Sequence, residues 1–406
     1  MTTNFWFLIT ENVRKALSHS SPSRAFPLST LMFACLGLTS AVAITVTNNN
    51  DSGPGSLRQA ISDASPGDTI DFDSSLNGQT ITLTSGELLI DKDLTIAGLG
   101  TNLLTISGNH ASRVFHMTGD LDVTISGLTI ANGFSPGAGG GIFGGSGGSL
   151  TIVNSTLSGN SSDSVGGGIY NFNGHATITN SSLRSNLALN GGGIFNDGGS
   201  LIIANSTLND NLADIGNGGG IFNRGWLTIT NSTLSGNAAA AGGGIFNRDS
   251  PLTIITNTTL SGNSANPPFG DGGAIFNVQS PLEIGNTILK AGARGQNIVN
   301  AGAFAVTSHG YNISSDPGGG ILTGPGDHIN TDPQLVSSVP EDNGGPTFTF
   351  ALMPGSPAID AGDPTFNPDQ YDPYTALDNM RDAELIRDLT QVSFSRRSCI
   401  ASPMSD

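Results

Sequence analysis

The sequence has few basic residues and few charges of either sign. Only 15 Lys and Arg stand against 32 Asp and Glu, which gives a net charge of −17. Nucleic acids and anionic membrane surfaces are bound through clustered Lys and Arg, so neither is predicted as a partner. Charged residues make up 12% of the chain, against roughly 25% in an ordinary domain. Such an acidic, weakly charged chain suits a soluble protein outside the cell.

The chain also has few cysteines and no long apolar run. Residues 1–43 combine basic residues, the apolar run Leu31–Leu38 and a small-residue cleavage pattern, so they are predicted to be a secretory signal cut before Ile44. The run is too short for a transmembrane helix, and no membrane span is predicted. Loss of Cys35 with the signal leaves only Cys399, so no internal disulfide can form. A lipoprotein processed at Cys35 is an alternative, although the apolar stretch continues past that residue.

What the sequence has instead is one segment repeated between Gly139 and Asn263, clearest in GGGIFNRGWLTITNSTLSGN from Gly218 to Asn237. The Ile that opens each Ile-Phe-Asn or its variant recurs in steps of 27, 25, 27, 24 and 30 residues, at Ile142, Ile169, Ile194, Ile221, Ile245 and Ile275. The Asn after each Leu-Thr-Ile-Thr keeps the same period. Because the recurring Ile and the recurring Asn keep one period, each copy of the repeat is predicted to form one structural unit, with changes of length accommodated in loops.

Each copy holds three short strand-like runs separated by Gly, Asn or Ser, and none reaches the length of a helix. The period therefore predicts an all-β protein, a right-handed parallel β-helix or solenoid, in which like residues stack about 4.8 Å apart. Helical repeats need long amphipathic runs, and a propeller blade needs a fourth strand. The calcium-binding nonapeptide repeat is absent.

The recurring Asn after the second strand predicts a structural ladder of stacked side-chain amides. Its members are Asn154, Asn180, Asn205, Asn231 and Asn257. Asn154, Asn205 and Asn231 each begin an Asn-Ser-Thr that matches the glycosylation sequon, but their place in one stacked column favours structure over glycosylation.

The chain divides into five predicted regions. Residues 1–43 are the signal, 44–68 an N-terminal cap, 69–300 the parallel β-helix, 301–364 a loop-rich acidic region and 365–406 an irregular tail, predicted to be disordered. Within the cap, Ser56 opens a short amphipathic helix, and Ser56 with Gln59 matches a capping box. A capping helix is expected there because an open β-helix end exposes unpaired backbone groups.

Several motifs resemble the choice-of-anchor Q family of secreted bacterial β-helix proteins. They are Gly55–Ile61, Ser308–Asp316, Asp342–Pro346 and Ala351–Gly362. The Gly-Gly-x-Ile and Leu-x-x-Asn motifs are similar to the repeats of polymorphic outer-membrane proteins. The resemblance covers residues 44–363 and implies an adhesin-like protein of the bacterial envelope, outer membrane or extracellular space. The family's closing and anchoring segments do not follow Asp369-Gln370, which favours release over anchoring.

Charged residues recur at one position of the repeat, directly after Ile-Phe-Asn. Stacking places Asp197, Arg224 and Arg248, joined by Asp249, in one vertical strip. The strip is a candidate glycan-binding or catalytic surface; the alternative is a set of solvated ion pairs on a turn. No cofactor is predicted, and no motif indicates Ca²⁺, although lyases of this shape use it.

Two further sets of residues are weaker candidates. His309, His328 and Asp332 could meet as a metal site, but their spacing does not mark one and loop positions are the alternative. The aromatic residue after each repeat Ile could form a carbohydrate-stacking column if it faces outward. The sequence leaves open which of the two residues faces the core.

Two functions stay open. The first is a non-enzymatic, adhesin-like protein, secreted or on the bacterial cell surface, that binds an extracellular polysaccharide or another surface protein. The second is a polysaccharide lyase or glycoside hydrolase acting along one face of the β-helix.

Overall fold

The computed structural model describes residues 43–266 and 270–362. The predicted signal apart from Ala43, the whole predicted tail and both cysteines lie outside the described residues. The described chain is a parallel β-helix whose strands form four parallel sheets. Over residues 122–278, each coil visits sheet 1, sheet 2, a short sheet 3 and sheet 4 in that order, and the described coils before and after this range have no strand in sheet 3. This confirms the predicted fold class, and the right-handed coil agrees with the strong general preference of parallel crossovers for that hand.

Sheets 1 and 2 are the longest. Sheet 1 contains β1 (Ala43–Val46), β2 (Asp68–Phe72), β5 (Leu94–Ala97), β8 (Asp122–Ser126), β12 (Ser149–Val153), β16 (His175–Thr179), β20 (Ser200–Ala204), β24 (Trp226–Thr230), β28 (Thr253–Thr256), β32 (Leu282–Gly285) and β35 (Val306–Gly310). Sheet 2 contains β3 (Gln79–Thr82), β6 (Leu104–Ser107), β9 (Thr129–Ala131), β13 (Thr156–Ser158), β17 (Ser182–Arg184), β21 (Thr207–Asn209), β25 (Thr233–Ser235), β29 (Thr259–Ser261), β33 (Ile288–Lys290) and β36 (Ile313–Ser314).

Sheets 3 and 4 complete the coil. Sheet 3 contains β10 (Phe134–Ser135), β14 (Ser161–Ser162), β18 (Leu187–Ala188), β22 (Leu212–Ala213), β26 (Ala238–Ala239) and β30 (Ser264–Ala265). Sheet 4 contains β4 (Leu88–Ile90), β7 (Phe115–Met117), β11 (Ile142–Gly144), β15 (Ile169–Phe172), β19 (Ile194–Asp197), β23 (Ile221–Asn223), β27 (Ile245–Arg248), β31 (Ile275–Val278) and β34 (Ile298–Ala301).

The core consists of stacked columns of inward-facing Ile and Leu. In sheet 4, Ile142 pairs with Ile169, and Ile169 pairs with Ile194. All three side chains are fully buried. The same stacking of like on like holds in sheets 1 and 2. Full burial of each such side chain stabilises the fold by about 1.5–3 kcal/mol, so these hydrophobic columns stabilise the β-helix along its length.

Two of the Asn columns form buried amide ladders, in which each side chain donates from Nδ2 to Oδ1 of the next over 2.7–3.0 Å. The first ladder is Asn160, Asn186, Asn211, Asn237 and Asn263; the second is Asn171, Asn196, Asn223, Asn247, Asn277 and Asn300. The first follows sheet 2 and the second lies in or directly beside sheet 4. Both satisfy polar groups that would otherwise be buried without partners.

The Asn column for which the ladder was predicted has a different role. Asn154, Asn180, Asn205, Asn231 and Asn257 all have left-handed backbones, with φ between 47 and 51°. Asn154 is exposed and the other four are half-buried. Asn tolerates this conformation at a corner better than most residues, which explains why it recurs there. The column is stacked as predicted, but the buried amide ladders run through the other two Asn columns.

The Gly-Gly-Gly that precedes the repeat Ile in five of the six copies (Gly-Gly-Ala before Ile275) fits a corner with little room for side chains. Gly218 has a φ of +70°, and a Cβ on this residue would lie 2.4 Å from the carbonyl oxygen of Ile221. A Cβ on Gly219 would lie 2.4 Å from the carbonyl oxygen of Ala238 in the next coil. Both contacts are with backbone atoms, so glycine is required at these positions.

The predicted N-terminal helix is present as α1 (Leu57–Asp63), with buried Leu57, Ala60 and Ile61. Ser56 is its N-cap and accepts a hydrogen bond from the backbone N–H of Gln59. The reciprocal half of the capping box is not formed, because the Gln59 side chain donates to Asp63 instead. Short 3₁₀ turns occur at Ser74–Leu76 and Gly318–Gly320.

The strands continue past residue 300 through β34, β35 and β36. The chain then forms two antiparallel bridges, Leu335 with Leu352 and Glu341 with Thr349. The hairpin between them contacts sheet 2, where Thr207 Oγ1 donates to the carbonyl oxygen of Phe348 over 2.6 Å. In the part of the chain that the structure describes, none of the helices has the length and apolar character of a membrane span.

Candidate functional site

A column of aromatic rings lies on the outer face of sheet 4. Because successive side chains of a strand point to opposite faces, the inward Ile places the next residue outward. Neighbouring ring centroids are 4.5–5.8 Å apart. The column consists of His116, Phe143, Tyr170, Phe195, Phe222, Phe246 and Phe276. This answers the question that the sequence left open: Ile is the core residue and the aromatic residue faces out.

Exposure changes along this column. Phe195, Phe222 and Phe246 are 6–8% exposed and pack with Ala241 and Val165. Phe143 and Tyr170 are half-buried, and Phe172 is 37% exposed. The Phe172 ring stacks on Tyr170, with centroids 5.9 Å apart and an interplanar angle of 20°. Solvent reaches part of each of these three rings. We call Phe143, Tyr170 and Phe172 the aromatic platform.

The predicted charged strip exists as two ion pairs beside this column. Arg224 Nη1 lies 3.6 Å from Asp197 Oδ1, and Arg248 Nε lies 3.2 Å from Asp249 Oδ2. Asp197 is the register partner of Phe172 in sheet 4, so the strip continues the outward position of the platform. All four side chains are about one-third to one-half exposed. Exposed pairs of this kind contribute about 0–1 kcal/mol to stability.

Tyr170 connects the platform to the strip. Its hydroxyl donates a hydrogen bond to Asp197 Oδ2 over 3.0 Å. Partial burial raises the pKa of Tyr170 above its ordinary value, and the Asp197 carboxylate raises it further. The phenol is therefore a fixed, neutral donor at physiological pH.

A second charged cluster borders the platform on the N-terminal side. Glu87 Oε2 accepts a hydrogen bond from Arg113 Nη1 over 2.6 Å, and Glu87 Oε1 lies 2.7 Å from His116 Nδ1. The Arg113 guanidinium lies over the Phe143 ring, 5.2 Å from its centroid. Burial lowers the pKa of Arg113 from its ordinary value, and Glu87 opposes that shift. No motif in the sequence predicted this cluster.

The residues considered as a metal site are not brought together. His309 Nε2 lies 3.0 Å from Glu283 Oε2, whereas Asp332 pairs with Lys290 over 2.9 Å. His328 joins the backbone of Asn312 and Ser314. Among residues 43–266 and 270–362, no three His, Cys, Asp or Glu side chains form a group that could hold a metal ion.

No family model matches the chain, and no curated protein matches it. Among solved structures, the chain is similar to the crystal structure of pectate lyase Pel9A, with 17% sequence identity and a TM-score of 0.44. The similarity covers 82% of this chain and 94% of that chain. At this level the likeness supports no conclusion about activity. The fold and the site therefore rest on the strand register and side-chain geometry described above.

Proposed function

We propose that the protein binds a glycan on the outer face of sheet 4 and acts as an adhesin-like protein outside the cell. The observation that carries this proposal is the aromatic platform with a charged cluster on each side. Aromatic rings offer flat apolar surfaces to the C–H faces of sugars, while fixed polar groups accept and donate hydrogen bonds to sugar hydroxyls. Phe172 and Tyr170 supply the surface, and Asp197 with Arg224 supplies the polar groups.

The charge of the face favours a neutral or weakly charged glycan. Arg113 and Arg224 each have a carboxylate partner, Glu87 and Asp197. Neither cation is therefore left to neutralise a densely anionic polymer. A glycan would lie on the aromatic platform, in contact with Phe143, Tyr170 and Phe172.

The surroundings of the protein are also part of the proposal. The acidic composition, the signal pattern of residues 1–43 and the motifs similar to choice-of-anchor Q proteins support a secreted protein or one at the bacterial cell surface. The binding test does not depend on this placement.

The test is binding of the purified chain to a panel of neutral and acidic polysaccharides, by glycan array and affinity electrophoresis. We expect Phe172→Ala to weaken binding because it removes the most exposed ring of the platform. Phe304→Ala is the matched control, since Phe304 is 51% exposed but lies in the loop after β34. Equal binding by the chain and by Phe172→Ala would contradict the proposal.

A second candidate function is depolymerisation of the same glycan. It is favoured by one observation, the placement of the Glu87 carboxylate against His116 Nδ1, since a carboxylate that orients a half-exposed imidazole is a common general-base arrangement. The purified chain would be incubated with the panel and Ca²⁺ and assayed for unsaturated ends and reducing sugars. Turnover that is lost in His116→Gln would establish the enzyme. Binding without turnover would leave the adhesin-like role.

A further inference from the structure

The outer face of sheet 3 carries an exposed apolar cluster. Leu187 and Leu212 are register partners on adjacent strands, so they lie one above the other, about 4.8 Å apart. Leu189 and Ile215 follow in the loops after these two strands. The three leucines are 37–41% exposed, and Ile215 is 75% exposed. We call these four residues the leucine cluster.

The fold does not require large apolar side chains at these positions. The inward positions of sheet 3 hold small buried residues, namely Ser135, Ser162, Ala188, Ala213, Ala239 and Ala265. At the outward position of Leu187 and Leu212, the neighbouring coils have Ser161 and Ala238. The two leucines therefore add nothing to the core and leave apolar surface in water, which is unfavourable until a partner covers it.

Acidic residues border the leucine cluster. Asp163 and Asp214 lie in the loops after β14 and β22, and Asp210 lies at the corner before β22. All three are exposed, and none of them forms an ion pair with another residue of the described chain. One cation, Arg184, lies beside the cluster at the end of β17. The surface is therefore apolar at its centre and predominantly negative at its edge.

We propose that the leucine cluster is a docking site for a basic amphipathic segment of another protein. Such a segment presents apolar side chains along one face with Lys or Arg beside them, which matches an apolar centre with an acidic edge. Burial of the four apolar side chains supplies the affinity, while the three carboxylates orient the segment and raise the rate of association. The cluster lies on sheet 3, so this proposal is independent of glycan binding on sheet 4.

A second copy of the chain and a membrane surface are the competing occupants. Two copies that met through this cluster would bring two sets of the same three carboxylates together, and each copy has a net charge of −17. The same carboxylates repel an anionic membrane. A sugar binds preferentially to aromatic rings, and none of the four residues of the cluster is aromatic. The acidic edge therefore favours a basic peptide over each alternative.

The probe is a synthetic amphipathic peptide of Leu and Lys at helical spacing, labelled and titrated with the full chain by fluorescence anisotropy. The comparison peptide has Glu in place of each Lys. We expect the Lys peptide to bind and the Glu peptide not to bind. Leu212→Ser should weaken binding of the Lys peptide by about tenfold, because it removes apolar surface at the centre of the cluster. Asp214→Asn should weaken it by a smaller factor, because exposed charges interact weakly.

Each variant has a matched control outside the cluster. Val336→Ser removes an apolar side chain that is 52% exposed on the C-terminal hairpin. Asp120→Asn removes an exposed carboxylate before β8. Neither control should change the affinity for the Lys peptide. Circular dichroism and the thermal midpoint would establish that all four variants keep the fold.

The proposal is overturned if the Lys peptide does not bind. It is also overturned if Val336→Ser weakens binding as much as Leu212→Ser, because general attraction to an acidic chain would then explain the binding. Analytical ultracentrifugation that showed a dimer dissociated by Leu212→Ser would assign the cluster to a second copy instead. Retention on vesicles of zwitterionic phospholipid that Leu212→Ser abolished would assign it to a membrane, and either result would overturn the proposal.

Discussion

The hydroxyl of Tyr170 donates a hydrogen bond to Asp197 across one rung of the β-helix, over 3.0 Å. This bond joins the aromatic column to the charged strip, two features that the sequence presents as unrelated columns. Because Asp197 also faces Arg224, the three residues form one surface across three rungs. The outer face of sheet 4 is therefore a single candidate site.

The first prediction concerns alkaline pH. The pKa of Tyr170 is raised by partial burial and by Asp197, so the folded state keeps this phenol protonated where the unfolded chain releases the proton. Its contribution to stability is complete below the ordinary tyrosine pKa of about 10 and is lost as pH rises above that value. We expect Tyr170→Phe to lose less stability than the unsubstituted chain between about pH 9 and pH 11. Denaturant unfolding across that range would measure it, and identical pH profiles would refute the prediction.

The second prediction separates the two kinds of Asn column. Asn223 is fully buried and lies between Asn196 and Asn247 in the second ladder. We expect Asn223→Ala to lower the free energy of unfolding by about 3 kcal/mol, because both neighbours lose a buried hydrogen-bond partner. Midpoints of denaturant unfolding, followed by circular dichroism, would measure the change.

Asn231 supplies the matched comparison, since its φ of 48° makes the backbone conformation its main constraint. Asn231→Gly should be more stable than Asn231→Ala by about 1 kcal/mol, because Gly adopts the left-handed region without strain. If Asn231→Ala proved as damaging as Asn223→Ala, the distinction between corner and ladder would fail.

The period of the repeat was sufficient to predict the fold, because Ile and Leu recur once per coil and can be buried only by stacking on their copies. It did not separate the three Asn positions in each copy. Strand alternation contains that signal: in Ile221-Phe222-Asn223, an inward Ile requires an outward Phe and an inward Asn. The same parity identifies the aromatic column as outward.

The charged cluster at Glu87, Arg113 and His116 could not be predicted in the same way. Its members come from irregular coils before the repeat begins, where the sequence gives no period from which to align one strand with the next. His116 enters the aromatic column through its pairing with Phe143, which only the register reveals. Likewise, the contact of the hairpin at Phe348 with Thr207 joins residues far apart in sequence and outside the repeat.

The third prediction concerns acid. Burial alone would raise the pKa of Asp51, but hydrogen bonds from Ser85, Arg58 and the Thr84 backbone outweigh it and lower the pKa to about 2. This carboxylate stabilises the cap at pH values above its ordinary pKa of about 3.9, and the contribution is lost as pH falls from there toward 2. Asp51→Asn should be less stable than the unsubstituted chain at pH 6, and the difference should shrink at pH 2.5. Thermal midpoints of both proteins at about pH 6 and about pH 2.5 would test this prediction. If the difference between the two midpoints were the same at both pH values, Asp51 would not have this role.

The last prediction compares the two ion pairs of the charged strip by removing the arginine of each. Arg224→Ala and Arg248→Ala each remove a guanidinium that is about half exposed, so each should change the free energy of unfolding by less than about 1 kcal/mol. Only Arg224 contacts Asp197, the partner of Tyr170, and lies beside the aromatic platform. We therefore expect Arg224→Ala to weaken glycan binding and Arg248→Ala to leave it unchanged, as measured by affinity electrophoresis. The two arginines share a column but differ in their distance from the aromatic rings. If both variants lost the same amount of glycan binding, the glycan would therefore bind along the charged strip and not on the platform.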